Sequence, residues 1–114
     1  MSKRKNKLEI NKFYYIFAGK MHPALIFKID KNHKTYISIK FGTTKNRHMI
    51  RVHPLNDSVK EQYAQNRPLE GTRGDYSNNE LLGFKTDERD KPIIEMIKRR
   101  KPRRTKKAKM HYEK

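Results

Sequence analysis

The chain has no cysteine. Disulfides, thiolate metal sites and a cysteine nucleophile are excluded, while the redox state of the compartment stays open. No apolar run approaches the roughly 18–20 residues of a membrane span. The N-terminal stretch MSKRKNKLEINK is basic, but Tyr14, Tyr15 and Lys20 interrupt any signal-peptide apolar core after it. A soluble, intracellular and cytoplasmic protein is expected. Acid is also scarce. Only 12 Asp and Glu stand against 29 Lys and Arg, and between residues 10 and 53 the one acid is Asp30. Metal-dependent nuclease sites gather several carboxylates around Mg²⁺, so that chemistry is disfavoured. Asp75, Glu80, Asp87, Glu88 and Asp90 lie in the later half, where turns and helix capping explain most of them. His22, His33, His48, His53 and His111 show no metal spacing such as H-E-x-x-H. Neither a G-x-x-x-x-G-K-[ST] loop nor G-x-G-x-x-G is present, which disfavours nucleotide hydrolysis and dinucleotide chemistry. No metal and no cofactor are expected.

What is abundant is positive charge. The net charge is +17, whereas solubility needs a magnitude of only about 2–8 in a small domain. A polyanionic partner follows, with nucleic acid first and an anionic membrane surface or acidic protein as alternatives. The charge is concentrated at the end. From Lys91 onward there are 11 basic and 2 acidic residues, a net +9. Lys98, Arg99, Arg100, Lys101, Arg103, Arg104, Lys106 and Lys107 form a tail able to neutralise phosphates and release counterions. Such clusters also serve as nuclear addresses.

Leu, Ile, Val and Phe number 23 of 114, so the core is small. Twenty of the 44 residues from Ile10 to His53 are apolar, which places that core in the N-terminal half. One domain is expected: a basic arm at 1–9, a folded unit at 10–97 and a basic tail at 98–114. His22 to Thr44 reads as a β-hairpin, with Leu25, Phe27 and Ile29 alternating on one strand and Thr35, Ile37, Ile39 and Phe41 on the next. Asp30 to Lys34 supplies its turn. Lys12–Phe17 predicts an aromatic strand before it, and Arg47–His53 a fourth strand after it. Val59–Gln65 reads as a short helix, 67–79 as loop with room for an edge strand, and Leu81–Lys85 as a short strand. Asp87 or Asp90 caps a final helix, with Pro92 in its first turn and an Ile93, Ile94, Met96, Ile97 stripe.

Two constellations carry chemistry. On an open sheet face, aromatics interleaved with Lys28, Lys40 and Arg51 would stack single-stranded bases. Tyr14 and Tyr36 are the candidates for that face, since Tyr36, Ser38 and Lys40 alternate together; Phe13, Phe17, Phe27 and Phe41 are assigned to the core. The second is a rim. The ends of an antiparallel hairpin lie side by side, so His22, Thr43, Thr44, Lys45 and Arg47 should cluster. An imidazole, hydroxyls and cations there could bind a phosphodiester, or cleave one by taking the 2′-hydroxyl proton and stabilising the phosphorane.

The segments His22-Pro23-Ala24-Leu25-Ile26 and Gly42-Thr43-Thr44 resemble the MazF/PemK-like toxins, over roughly residues 10–53. The resemblance implies a small SH3-like barrel and metal-independent cleavage of single-stranded RNA, with His22, Thr43 and Thr44 at catalytic positions. It also implies an antitoxin or other acidic protein as partner, and a homodimer, since the family's toxins are often dimers. His22 stands where the family usually has Arg, and its Gly-rich first loop is reduced to Ala18-Gly19-Lys20. The later segment from Asn66 to Lys85, followed by a helix, resembles small proteins of phages and mobile elements that share the barrel. The expected fold is mostly β: an SH3-like barrel with a C-terminal helix and flexible basic termini. The expected function is binding of nucleic acid, RNA in preference to DNA. The alternatives are a toxin-like endoribonuclease and a phage or mobile-element inhibitor of a host protein; a ribosomal-protein-like role is suggested by the tail.

Overall fold

The alternation of residues 22–44 becomes an antiparallel hairpin. The computed structural model describes residues 7–105. In it β1 spans Phe13–Ala18, β2 Lys20–Ile29 and β3 Thr35–Gly42. Between β1 and β2 only Gly19 intervenes, at φ 80, so that Ala18 and Lys20 pair directly. That left-handed φ suits glycine. Between β2 and β3, Asp30 closes the turn as its sequence suggested: its Oδ1 accepts from the backbone N–H of Lys34 at 2.7 Å and of Thr35 at 3.1 Å.

Both faces of this hairpin are buried. Phe13, Leu25, Ile39 and Phe41 pack on one side with Val52, Leu55, Ala64, Ile94 and Ile97. Leu8, Tyr14, Ile16, Ala24, Ile26, Tyr36 and Tyr76 form a second core on the other. The pairing is irregular between Ile26 and Lys28, where Phe27 is passed over. A bulge of this kind shifts side-chain parity. Ile29 therefore packs with Ala24 and Ile26 instead of with Leu25.

The second core corrects the expected aromatic face. Tyr14 and Tyr36 are 3% and 1% exposed and cannot stack bases. Their hydroxyls are satisfied locally: Tyr36 donates to the His33 carbonyl at 2.9 Å, and Tyr14 accepts from the Glu9 backbone N–H at 3.1 Å. Ser38 is fully buried too, its Oγ 2.9 Å from the Tyr76 hydroxyl. A polar-looking alternation thus lines a hydrogen-bonded core. Phe17, assigned to the core, is 48% exposed because β1 and β2 run past the packed interior toward Gly19.

Four further strands complete the sheet: β4 (Met49–Val52), β5 (Gln62–Gln65), β6 (Leu69–Thr72) and β7 (Arg103–Arg104). The order is β1-β2-β3-β5-β4, with β6 on β3 and β7 parallel to β6. β5 and β6 lie along the same edge of β3, β5 opposite Phe41–Gly42 and β6 opposite Thr35–Ser38. The chain breaks between them at Asn66-Arg67-Pro68. Strands β1 and β4 end the order without pairing to each other, so the sheet is open and the ladder of a closed barrel is not formed.

Two local expectations fail. The helix predicted over Val59–Gln65 is instead the strand β5, whose Tyr63 and Ala64 pair with both β3 and β4. Gln62, Tyr63 and Ala64 are consecutively buried, a pattern that a central strand permits and an amphipathic helix does not. The strand predicted over Leu81–Lys85 is irregular, with Gly83 at φ 83 and Leu82 80% exposed. It still covers the core, through Leu81 N–H to the Phe13 carbonyl and Phe84 against the Phe13 ring. The edge of β1 is closed by the same region, since Ser77 N–H donates to the Tyr15 carbonyl.

The C-terminal helix α1 (Lys91–Lys98) forms as its stripe predicts, with Pro92 in the first turn and Ile94 and Ile97 buried. Asp87 caps the 3-10 turn that precedes it. Asp90 instead sends its carboxylate to the residue that follows β4: Oδ2 accepts from the His53 backbone N–H at 2.7 Å, and Oδ1 lies 2.9 Å from His53 Nδ1. The expected arm and tail are partly built into the fold. Leu8 is buried, and the chain after α1 returns along β6, where Arg103 N–H donates to the Pro68 carbonyl and Thr105 N–H to that of Glu70. Among the described residues no helix is long and apolar enough to cross a membrane.

Candidate nucleic-acid interface

Ala24 pairs with Lys40 across the hairpin. Lys40 therefore points to the same side as Ala24 and Ile26, at the end where the second core gives way to solvent. Opposite it β5 has ended and β6 not begun, and the break at 66–68 leaves space. Two cavities open there. One, of about 500 Å³, is lined by Tyr15, Lys20, His22, Lys40, Thr43 and Thr44 among others. The other, of about 720 Å³, is lined by Phe17, Lys40, Gln65, Asp75, Arg103 and Arg104 among others. Lys40 and Gln65 line both, so the two cavities adjoin at these residues along the rim of the sheet, a groove on either side of Lys40.

The charge lining the two cavities is mostly positive. Lys20, Lys40 and Arg103 have no ion pair among the described residues, while Arg104 lies 4.0 Å from Glu70. Among the described residues the one carboxylate in the lining is Asp75, which is 4% exposed. Its Oδ2 accepts from Thr72 N–H at 2.7 Å and from the Thr105 hydroxyl at 2.9 Å. It holds the β6 end and the returning chain together. Lys40 is half-buried, and desolvation, then the nearby Arg103, holds its pKa below the usual lysine value. His22 is likewise lowered, by burial first and then by Lys40 and Lys20. Near neutral pH its imidazole is therefore neutral and able to accept a proton.

The floor of the rim is set by Gln62. Its buried amide donates from Nε2 to the Gly42 carbonyl at 3.0 Å, and its Oε1 accepts from Leu55 N–H at 3.4 Å. That fixes the end of β3, from which Thr43 and Thr44 emerge exposed. A β-carbon on Gly42 would come within 3.7 Å of His22 Nδ1, so the imidazole lies over that glycine.

The rim expected from the hairpin thus assembles in part. His22, Thr43 and Thr44 share one cavity. Lys45 and Arg47 are exposed on the following loop and line neither cavity; Arg47 Nε donates to His48 Nε2 at 3.2 Å. Lys28 is exposed beyond the bulge and also lines neither cavity. Arg51 on β4 lies 3.7 Å from Glu61. Of the tail, Arg103 and Arg104 reach the groove. Lys98 pairs with Glu95 at 3.2 Å and sits over the Phe27 ring, and Arg100 donates to the Asn66 carbonyl. Arg99 and Lys101 are exposed, the Lys101 carbonyl accepting from Arg67. Lys106 and Lys107 lie outside the described residues. Lys20, Tyr15 and Gln62 were not singled out from sequence. The one signal for Lys20 was its place beside Gly19, where a tight turn aligns it with the hairpin's end.

Among the described residues no three of His, Asp and Glu gather as a metal-binding group. Comparison with protein-family models, with curated proteins and with solved structures gives no match.

Proposed function

We propose that this protein binds nucleic acid, RNA in preference to DNA, in the groove centred on Lys40. The observation that carries this reading is that Lys40 lines two adjoining cavities, with Lys20 in one and Arg103 in the other, and that the one lining carboxylate among the described residues is hydrogen-bonded away. Burying a lysine beside an arginine is unfavourable to the free protein. A phosphate in the groove offsets that cost, because it restores to the ammonium a counter-charge that the fold does not provide. The +17 net charge brings polyanions to this surface from a distance, and the basic end of the chain contributes to that charge.

A second reading, metal-independent endoribonuclease of the MazF/PemK-like kind, is favoured by one observation. A neutral half-buried imidazole, His22, shares its cavity with two hydroxyls, Thr43 and Thr44, and a cation, Lys40. In that role His22 accepts the 2′-hydroxyl proton, and Lys40 with Lys20 stabilises charge on the phosphorane.

A gel separates the two. Labelled single-stranded RNA and duplex DNA are incubated with protein and chelator at low and moderate salt, then run under native and denaturing conditions. Intact, shifted RNA released by salt is the expected result. Shortened RNA that disappears with His22→Ala assigns the enzyme. Absence of any shift removes both readings and directs attention to an acidic protein partner.

A further inference from the structure

One cation of the larger cavity arrives on a strand that can barely hold itself in place. β7 has two residues, and among the described residues it pairs with β6 alone. Its Arg103 lies opposite Leu69, and Leu69 lies opposite Ser38, two residues from Lys40 on β3. Paired residues share a face, and so do residues two apart on a strand. Arg103 therefore stands on the face of Lys40, near enough to help hold the lysine pKa down, and both line the same cavity. What fixes the segment is polar. Ahead of β7, Arg67 donates to the Lys101 carbonyl at 3.0 Å and Arg100 to the Asn66 carbonyl at 3.1 Å. Beyond Arg103 the anchor is Thr105. Its N–H donates to the Glu70 carbonyl and its hydroxyl to Asp75 Oδ2, each at 2.9 Å. Asp75 is itself buried and set by the Thr72 N–H at 2.7 Å. A carboxylate in the wall of a cavity that takes a polyanion opposes binding by its charge. Its place there is accounted for by the hydroxyl it holds.

Resting on the nucleic-acid reading above, we propose that Asp75 and Thr105 are positioning residues for phosphate binding: their hydrogen bond docks β7 on β6 and so delivers Arg103 to the cavity beside Lys40. Neither residue need touch the ligand. With the anchor in place, the backbone that carries Arg103 is fixed before the phosphate arrives, and less freedom is lost on binding. Without it, Arg103 sits at the fraying end of a two-residue strand and must be ordered by the ligand. The coupling runs both ways. A phosphate that meets Arg103 only when β7 is docked favours the docked strand, by the same factor that docking favours the phosphate. Binding should therefore tighten β7, and loss of the anchor should act on binding as though Arg103 itself had been removed.

The experiment uses the full chain and a fluorescent oligouridine, read by anisotropy across salt. Thr105→Val keeps the shape and charge of the side chain and removes its donor, while Asp75 retains the Thr72 N–H. Arg103→Gln removes the cation. Each variant should reduce the slope of log affinity against log salt by about 0.7, the share of one single-strand phosphate. For Thr105→Val this happens with no charge altered, which a role in stability alone does not produce. The double variant should lose less than the two singles combined, and Thr105→Ser, which keeps the hydroxyl, should restore the slope. Hydrogen exchange at the Arg103 and Thr105 amides should slow when oligouridine is added to the unmodified protein and not when it is added to Thr105→Val. An unchanged slope in Thr105→Val, equal loss in Thr105→Ser, or full additivity overturns the positioning role, while salt-dependent binding by the unmodified protein still upholds the nucleic-acid reading. Failure of the unmodified protein to bind overturns both.

Discussion

Lys40→Met tests whether the lysine is there for the fold or for a ligand, because the two roles predict opposite signs. Burial and Arg103 both disfavour the charged Lys40 side chain in the free protein. Methionine has a similar length and no charge, so the substitution removes the desolvation and the repulsion while keeping the packing. The melting temperature should therefore rise. RNA binding should fall, and in a way that salt reveals. Each phosphate neutralised on a single strand adds about 0.7 to the slope of log affinity against log salt. With Lys20, Lys40 and Arg103 engaged, the groove contributes a slope of about −2.1, and losing Lys40 reduces it to about −1.4. Cations elsewhere in the chain add equally to both proteins. The ratio of the two dissociation constants should then shrink about 2.6-fold between 50 and 200 mM salt. Anisotropy with single-stranded RNA measures the binding and circular dichroism the melting. Parallel salt lines, or a variant that melts lower and binds equally well, would refute the assignment of Lys40 to a phosphate.

Tyr76→Phe removes one end of the buried Ser38–Tyr76 hydrogen bond and strands the other, which should cost about 1–3 kcal/mol in urea denaturation. The Ser38→Ala/Tyr76→Phe double variant should lose less than the two singles combined. Gly71→Ala would put a β-carbon 2.9 Å from Asp75 Oδ2 and 3.3 Å from the Tyr76 ring; a loss of about 1–3 kcal/mol is expected by the same assay, and an unchanged midpoint would mean the carboxylate moves freely. His22 has a folded pKa below its ordinary value of about 6.5, so in the window beneath 6.5 the unfolded chain binds the proton that the folded one does not. Stability should fall as pH drops through that window and level off below the folded pKa. His22→Gln should flatten the dependence as pH falls below about 6.5, and an identical slope would place the titration elsewhere.

Local pattern settled a good deal. Aromatic enrichment located β1, period-two alternation located β2, β3 and β4, and Asp30 with its neighbours marked the turn, because these signals depend on residues close in sequence. The apolar spacing of Ile94 and Ile97 and the place of Pro92 located α1 in the same way. From the alternation also came the nearness of His22 to Thr43 and Thr44, since a hairpin aligns its own ends. What local pattern missed depends on distant partners. Tyr36 and Ser38 read as a polar face, yet Leu8 and Tyr76 cover them, and only the returning chain brings Tyr76 there. Val59–Gln65 reads as helix, but two neighbouring strands supply backbone partners to Gln62–Gln65 and outweigh propensity.

The sequence by itself determined a basic, mostly β protein with a C-terminal helix, because composition and short-range periodicity need no third dimension. Tertiary structure alone decided which cations line the cavities. It set Lys28 beyond the bulge, left Lys45 and Arg47 on an exposed loop, and brought Lys20, Lys40 and Arg103 from three separate strands to two cavities that adjoin at Lys40. The physical reason is that charge is a property of a residue, whereas a site is a convergence. Convergence here depends on the break between β5 and β6 opposite Lys40 and on the parallel return of β7.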